Sequence, residues 1–444
     1  MLRFVTTLIL SLTFISSLWS QNWKYLNADS SDLPTNAIQN IYFDDDGSVW
    51  FCTQDKGLLH YVNGVYHEYN SASNDDFNAD WVNAIVKGAG SVYWIATEYD
   101  GLYKYANGTF VKYEDDGAGH KLEYLREIAL QKGGPDNGGA IWIGTWAHGL
   151  FKFDGNGWQY FDQASGAIPD NSVLALAVEE NSDPDNYEFV LWAGTNQGLR
   201  KFDGKTWQTV SIGEESDLWI NDIVLKDNGP TFANGTLVVG TESGKLCLYD
   251  GNTWDIFNMS DAWNPNNSVT KIAVDADGII WFGQDEEGLG MYDGKQLLSF
   301  YKENSGIAGN DVISLAVRQT NDSTEVWCSV YGNIAYLGIS ILTQERITGL
   351  QPNRLLPHEP MLAQNYPNPF NPNTHIKFYL PQASQVTLAV YDALGRRIRT
   401  LIRQRLHAGE HVAEFDASDL PSGIYFYTLT TKQRKITRKM VFIR

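Results

Sequence analysis

Aromatic rings and carboxylates occur together at equivalent positions of a repeated sequence pattern. Three copies begin one segment with a large ring, Trp81, Tyr124 or Trp219, where the others have Ala37, Ser172, Ser268 and Asp311. A second set of equivalent positions, predicted to form the loop between the second and third strand-like runs of each copy, contains Asp55, Glu98-Tyr99-Asp100, Trp146, His148, Asn196-Gln197, Glu242, Asp285-Glu286-Glu287 and Tyr331. Flat apolar faces beside directional hydrogen-bonding groups are what a sugar-binding surface needs. The candidate ligand-binding residues are Trp81, Tyr99, Asp100, Tyr124, Trp146, His148, Trp219, Glu242, Glu286 and Tyr331.

Signatures of catalysis are thin in this sequence. It contains no G-x-S-x-G or H-E-x-x-H motif, and Gly240–Lys245 is one residue too short for a phosphate-binding loop. The histidines before residue 361 other than His358 lie in separate phrases, and Asp44–Gly47 and Asp275–Gly278 resemble hairpin turns more than calcium loops. We therefore expect no catalytic residues, no metal and no cofactor. One enzymatic alternative stays open, because carboxylates such as Asp100 and Glu242 could have the spacing that glycosidases use.

The candidate residues belong to a sevenfold repeat, which must position them. Its strongest phrase is Ile141–Thr145, and the same phrase returns at intervals of 44, 48, 50, 46, 43 and 46 residues, centred on Trp50, Trp94, Trp142, Trp192, Val238, Trp281 and Trp327. Each copy has four short strand-like runs, and most have an Asp-Gly or Asn-Gly turn before the last run. A period of this length predicts an all-β, seven-bladed β-propeller with the blade tryptophans in its core.

The ends of the repeat array predict how the ring closes. Trp23-Lys24-Tyr25 matches the outer-strand phrase Trp158-Gln159-Tyr160, although no complete copy precedes it. We expect this segment to pair with the seventh blade, which removes two open sheet edges. In the alternative, Ile339–Ile347 completes that blade instead.

The repeat unit resembles a known family. The stretch LPTNAIQNIYFDDDGSVWFCTQDKGLLHYVNG, residues 33–64, is similar to the two-component-regulator propeller repeat of bacterial sensor ectodomains, and the similarity covers residues 22–348. The resemblance implies the propeller fold and a tendency to bind extracellular ligands. Sensor members continue into a membrane helix and a kinase, which this sequence lacks, so the sensing role is not carried over.

The C-terminal part has a different pattern. Residues 349–364 contain three prolines and are predicted to be a linker, and residues 365–444 contain about seven short strand-like runs, enough for a small antiparallel sandwich. Their motifs resemble the type A C-terminal sorting domain of the type IX secretion system, an Ig-like module similar to that of flagellar hook-capping proteins. The motif residues are Asn365, Pro367, Pro369, Phe370, Gly395, Gly423, Tyr425 and Lys439. The resemblance implies the secretion machinery as a partner; the alternative is an ordinary Ig-like adhesion module.

The net charge, the N-terminal segment and the cysteines indicate the cellular environment and the possible partners of the protein. Of the net charge of −20, residues 361–444 contribute +7 and the rest −27, which argues against nucleic acid or an anionic membrane as a partner. Residues 1–21 are predicted to be a signal peptide, and no later run is apolar for long enough to span a membrane. Cys52, Cys247 and Cys328 are expected to be small buried groups rather than disulfide partners.

These observations predict a monomeric, secreted or cell-surface binding protein without catalytic activity. Its expected ligand is a glycan or another extracellular polymer on the aromatic and acidic surface. A polysaccharide lyase or hydrolase is the first alternative, and a protein-interaction scaffold is the second.

Overall fold

A computed structural model describes most of the chain. It covers residues 22–443 apart from 133–138, 181–187, 216–217, 227–235, 252, 260–266, 295–296, 303–304, 333, 346–360, 363–364, 366–367, 381–383, 407–408 and 433–434. The predicted signal peptide, most of the predicted linker and Pro367 therefore lie outside the described residues. The described residues form two compact units, divided between Thr348 and Gly349. No helix in the described part of the chain could cross a membrane.

Seven four-stranded antiparallel sheets make up the first unit over its described residues. The N-terminal strand and blades one and two contain β1 (Asn22–Leu26), β2 (Ile38–Phe43), β3 (Val49–Thr53), β4 (Leu58–Val62), β5 (Val65–Tyr69), β6 (Val82–Lys87), β7 (Val92–Thr97), β8 (Leu102–Ala106) and β9 (Thr109–Tyr113). Blades three and four contain β10 (Leu125–Gln131), β11 (Ala140–Thr145), β12 (Leu150–Phe153), β13 (Trp158–Phe161), β14 (Val173–Glu180), β15 (Phe189–Thr195), β16 (Gly198–Phe202) and β17 (Trp207–Val210).

The remaining blades follow the same order. Blades five and six contain β18 (Ile220–Lys226), β19 (Thr236–Thr241), β20 (Lys245–Tyr249), β21 (Trp254–Asn258), β22 (Val269–Val274), β23 (Ile280–Gln284), β24 (Gly288–Tyr292) and β25 (Leu297–Phe300). Blade seven contains β26 (Asp311–Gln319), β27 (Ser323–Tyr331) and β28 (Tyr336–Glu345), with β1 as its fourth strand. The predicted seven-bladed β-propeller is confirmed.

The ring is closed by the N-terminal strand. β1 pairs antiparallel with β28, with Trp23 opposite Leu342, so the first strand of the unit becomes the outer strand of the last blade. The ring of Trp23 also makes an edge contact with Phe300, at 6.3 Å between centroids. The alternative segment, from Ile339 onwards, supplies the third strand of that blade rather than the fourth.

Buried tryptophans and the side chains that cover them form the blade cores. Trp50, Trp142 and Trp281 are almost fully buried. A lysine on the third strand lies over the tryptophan on the second in three blades, at 5.4 Å for Lys104 on Trp94, 5.1 Å for Lys152 on Trp142 and 5.4 Å for Lys201 on Trp192. In blade one His60 takes that place and stacks on Trp50 at 3.8 Å. The three cysteines are buried and free.

The innermost strand of every blade has an irregularity at the same place. The antiparallel register shifts next to Gln39, Asn83, Arg126, Leu174, Asn221, Thr270-Lys271 and Ile313. These residues lie two positions after the ring-bearing position of each repeat. A β-bulge leaves a residue out of the ladder and redirects its side chain. The bulges therefore allow Asn83 and Asn221 to reach the following blade.

The second unit is a small β-sandwich. Its strands are β29 (Met361–Leu362), β30 (Asn373–Leu380), β31 (Ser384–Asp392), β32 (Arg397–Leu406), β33 (Gly409–Asp416), β34 (Gly423–Thr430) and β35 (Lys435–Phe442). They form two sheets, in the orders β29-β30-β33 and β32-β31-β34-β35. Apolar side chains of both sheets share one buried core, which includes Phe378, Phe415, Leu388 and Tyr427. This arrangement confirms the predicted Ig-like sandwich.

Candidate functional site

Six of the predicted rings make two series of contacts on one face of the propeller. Trp81 meets Tyr99 edge to face at 5.9 Å, Tyr99 meets Tyr124 at 5.6 Å, and Tyr124 meets His148 at 5.5 Å. Trp146, in the same loop as His148, contacts Trp219 of blade five at 6.1 Å. We call these six residues the aromatic arc. Two of its rings are well exposed, Tyr99 at 57% and Trp146 at 42%.

Backbone hydrogen bonds explain why two distant sets of positions share this face. The N–H of Glu98 donates to the carbonyl of Trp81 at 3.1 Å, and the N–H of Glu242 donates to the carbonyl of Trp219 at 3.0 Å. The N–H of Trp146 donates to the carbonyl of Tyr124 at 2.9 Å. Each bond joins the start of an innermost strand to the loop between the second and third strands. The blade pattern therefore places both sets of predicted residues side by side.

A polar network beneath the aromatic arc holds two of its rings. The indole N–H of Trp81 donates to Asn83 Oδ1 at 2.9 Å, and Asn83 Nδ2 donates to Glu98 Oε2 at 2.7 Å. Arg126 donates to the other oxygen of Glu98 at 3.0 Å, and its guanidinium lies 5.2 Å from the ring centre of Trp146. Glu98 is buried and the Arg126 side chain is 30% exposed, so the carboxylate end of this ion pair is the part shielded from water. Sequence reasoning included Glu98 but missed Asn83 and Arg126.

Carboxylates gather on the part of the face formed by blades five to seven. Ser268 donates to Asp285 at 2.6 Å, and the N–H of Glu286 donates to Asp311 at 3.0 Å. Burial raises the pKa of Asp285, and the negative charges of Glu242, Asp311 and Glu286 raise it further, while the bond from Ser268 lowers it. These carboxylates are therefore close enough to repel one another.

Two further predicted site residues, Tyr331 and Asp100, belong to neither group. Tyr331 is the last residue of β27, not part of a loop, and its ring packs edge to face on Tyr336 at 5.1 Å. Asp100 follows Tyr99, its carboxylate makes no hydrogen bond or ion pair among the described residues, and burial raises the pKa of its carboxyl group. The structure gives no contact between Asp100 and Glu242, the pair considered for glycosidase chemistry.

The central channel contains a charge cluster that sequence reasoning missed. Lys271 Nζ lies 3.1 Å from Glu127 Oε2 and 3.4 Å from Asp222 Oδ1, joining blades three, five and six. These residues line a cavity of about 190 Å³ together with Asn40, Leu176, Ile223, Val224, Ile272, Ser314 and Leu315. Burial alone would lower the pKa of Lys271, but the charges of Asp222 and Glu127 raise it overall.

The three charged residues of this cluster occupy equivalent positions of the sequence repeat. Glu127, Asp222 and Lys271 each lie three residues after the position occupied by Tyr124, Trp219 and Ser268. Aligning the repeats at that offset would have shown three charged residues where Ala84 and Ala175 stand in other blades. What the alignment could not show is that one lysine would bridge the two carboxylates.

The aspartate-rich turns serve the fold. The N–H of Gly47 donates to the carbonyl of Asp44 and that of Gly278 to the carbonyl of Asp275, so both segments are hairpin turns. The Asp44 carboxylate accepts from Lys87 and Tyr93 of the next blade. Within the described ranges, no group of three histidine, cysteine or carboxylate side chains is arranged to hold a metal ion.

The predicted sorting residues have mostly structural positions in the sandwich. Asn365 is buried, and its N–H donates to the hydroxyl of Tyr427 at 2.7 Å. Phe370 packs between Phe415 and Phe442, and Tyr425 is buried with its hydroxyl donating to the carbonyl of Pro421 at 2.8 Å. Gly395 turns the chain with a positive φ of 75°, and Gly423 begins β34. Pro369 and Lys439 are exposed.

Known families match both units. Residues 364–443 match the secretion system C-terminal sorting domain, and residues 32–55 and 265–286 match the two component regulator propeller. No curated protein matches the sequence.

Several solved structures share the fold. The extracellular domain of a hybrid two component system from B. thetaiotaomicron is 15% identical with a TM-score of 0.55, covering 96% of this chain and 55% of that one. A second such domain from B. thetaiotaomicron is 19% identical with a TM-score of 0.53, covering 82% and 44%. PorZ, an essential surface component of the type-IX secretion system of Porphyromonas gingivalis, is 15% identical with a TM-score of 0.50, covering 92% and 60%.

This chain spans about half the length of those structures, so the similarity shows the fold alone. The sorting domain acts as a secretion signal, because it directs the protein to the secretion machinery. The protein is thereby exported to the cell surface or the extracellular space. The chain thus combines two-component-regulator propeller repeats with a C-terminal sorting domain of the type IX secretion system.

Proposed function

We propose that this propeller is a non-catalytic, monomeric binding protein that recognises a glycan or a similar extracellular polymer on the aromatic arc. The observation that carries the proposal is the unbroken series of ring contacts from Trp81 to His148, extended by Trp146 and Trp219. Such a surface offers several apolar platforms to successive sugar rings, with polar groups at their edges.

Pre-organisation supports a binding role. Trp81 is held by its hydrogen bond to Asn83, and Trp146 lies under the guanidinium of Arg126. Side chains that are already fixed lose little conformational entropy when a ligand binds, so more of the contact energy appears as affinity.

An enzymatic alternative has one observation in its favour. Glu127 and Asp222 lie close together in the channel, and burial raises the pKa of Glu127 against the lowering effect of Lys271, as a general acid requires. However, Lys271 forms an ion pair with both carboxylates, and a cavity of about 190 Å³ leaves little space for a sugar ring and a water molecule. Binding without catalysis is therefore the better-supported function.

A thermal-shift screen of the purified chain against oligosaccharides and cell-wall fragments tests the proposal. A ligand at 100 times its dissociation constant should stabilise the protein by about 2.7 kcal/mol. The shift should disappear in Tyr99→Ala, which removes an exposed ring, and persist in Ile256→Ala, which removes an exposed apolar side chain from the outer strand of blade five. A shift that Tyr99→Ala leaves unchanged would locate binding elsewhere, and product formation would favour the enzyme.

A further inference from the structure

Blades two and five share a local motif that the other blades lack. Trp81-Val82-Asn83 is followed by Thr97-Glu98, and Trp219-Ile220-Asn221 is followed by Thr241-Glu242. In both blades the asparagine Nδ2 donates to the glutamate, at 2.7 Å in blade two and 2.9 Å in blade five. It also donates to a carbonyl of the following blade, at 2.8 Å to Leu125 and 3.2 Å to Val269. The two copies can therefore be compared atom by atom.

The blade-two copy is completed by a cation from the chain itself. Arg126, at the bulge of blade three, pairs with the free oxygen of Glu98 and lies over the ring of Trp146. This arrangement shows how the fold holds a cation, between a carboxylate on one side and an indole ring on the other.

The blade-five copy has no such cation. The residue equivalent to Arg126 is Thr270, whose hydroxyl donates to the carbonyl of Val312 at 2.6 Å. Among the described residues, the Glu242 carboxylate has Asn221 as its one hydrogen-bond partner, and no lysine or arginine forms an ion pair with Glu242 or Asp285. The indole N–H of Trp219 is buried and has no partner there either. We call Trp219, Asn221, Glu242 and Asp285 the acidic corner.

We propose that the acidic corner binds a protonated amino group of the ligand, at the place that corresponds to Arg126 in the blade-two copy, and that the ligand is an amino-sugar polymer. The inference rests on the proposed function and specifies its substrate class. Trp219 belongs to both the acidic corner and the aromatic arc, and its ring contacts Trp146. The acidic corner therefore adjoins the arc. A sugar chain on the arc can therefore place an amino substituent between Glu242 and Asp285. Mutual repulsion among the carboxylates of this region favours a cation there.

Three probes separate the chemistry of the corner from that of the arc. They are an oligomer of β-1,4-linked glucosamine, its fully N-acetylated counterpart and an arginine-rich peptide, each titrated calorimetrically against the whole chain. We expect the glucosamine oligomer to bind and its acetylated counterpart to bind at least tenfold more weakly, a difference of about 1.4 kcal/mol. Higher salt should weaken the glucosamine complex more than the acetylated one.

Two variants and a control identify the corner. Glu242→Gln should weaken glucosamine binding by about tenfold without affecting the acetylated oligomer, and Asp255→Asn, an exposed carboxylate on the outer strand of the same blade, should change neither. Thr270→Arg should occupy the corner with a guanidinium of the chain itself. It should abolish the preference for the free amine while leaving the protein folded, as the circular dichroism spectrum would show.

Each result has a definite meaning. Equal binding of both oligomers, unaffected by Glu242→Gln and Thr270→Arg, would overturn the cation site and leave the proposed glycan function intact. Binding of the peptide alone, weakened by those same variants, would overturn the amino-sugar ligand in favour of a cationic protein partner. If no probe binds, the amino-sugar ligand is refuted, and the oligosaccharide screen described above decides the glycan function.

Discussion

Replacing Lys271 with methionine should destabilise the propeller by about 3 kcal/mol. Lys271 lies 3.1 Å from Glu127 and 3.4 Å from Asp222, whose side chains are only 19% and 9% exposed. Removing one partner of a buried ion pair typically costs about 3–5 kcal/mol, because a charge is left uncompensated in a poorly hydrated place. The channel admits some water to these groups, which favours the lower end of that range.

Urea denaturation followed by tryptophan fluorescence measures the loss, with Lys24→Met as the matched control. Lys24 lies on the exposed side of β1, so its replacement should change the free energy of unfolding by less than about 0.5 kcal/mol. The double variant Lys271→Met/Glu127→Gln should recover about 1 kcal/mol or more, because one uncompensated carboxylate is removed.

The pH dependence gives a second, independent readout. Without Lys271, the folded-state pKa of Glu127 rises further above the unfolded value, and a raised folded-state pKa favours folding as the carboxyl group becomes protonated. The loss in free energy of unfolding caused by Lys271→Met should therefore become smaller as the pH falls from 8 towards 5. If Lys271→Met is as stable as Lys24→Met at pH 8, the channel cluster contributes nothing and the reasoning is wrong.

Three further predictions concern other parts of the chain. Deleting residues 22–27 should lower the melting temperature, because it removes the five β1–β28 pairs and the packing of Trp23; an unchanged value would mean that the ring does not depend on this strand. Burial lowers the pKa of His60, so the contribution of its neutral form is present above about pH 6.5 and lost as the pH falls through the folded-state pKa. His60→Phe should accordingly flatten the fall in melting temperature below pH 6.5, and parallel curves for the two proteins would contradict this. Removing residues 361–444 should retain the protein in the periplasm, as cell fractionation would show, whereas normal secretion would refute the sorting role.

The repeat pattern was sufficient to predict the blades and the location of the predicted rings other than Tyr331. A tryptophan that recurs every 43–50 residues must occupy the same place in each sheet, so Trp50 and Trp142 could be assigned to the core from their spacing. The same alignment correctly placed Trp81 and Trp219 next to the loops of Glu98 and Glu242.

Contacts between blades could not be predicted in the same way. Arg126 reaches Glu98 because a β-bulge removes it from the β10–β11 ladder. The alternation of apolar and polar residues along a strand does not reveal where a bulge occurs. Lys271 and Glu127 are 144 residues apart and meet only because the ring closes. Tyr331 was placed in a loop because the pattern does not reveal that β27 continues to that residue.

Closure by β1 also determines the order in which the chain can be completed. β1, which precedes the other strands of the propeller along the chain, pairs with β28, which ends at Glu345, so more than three hundred residues must be synthesised after β1 before its partner is complete. During that interval β1 and the partly assembled sheets present unpaired edges, which are sites of aggregation. β1 is therefore the strand of the propeller whose backbone groups stay unpaired for longest. A pause in synthesis before β26 would prolong that exposure, whereas a pause after Glu345 would not.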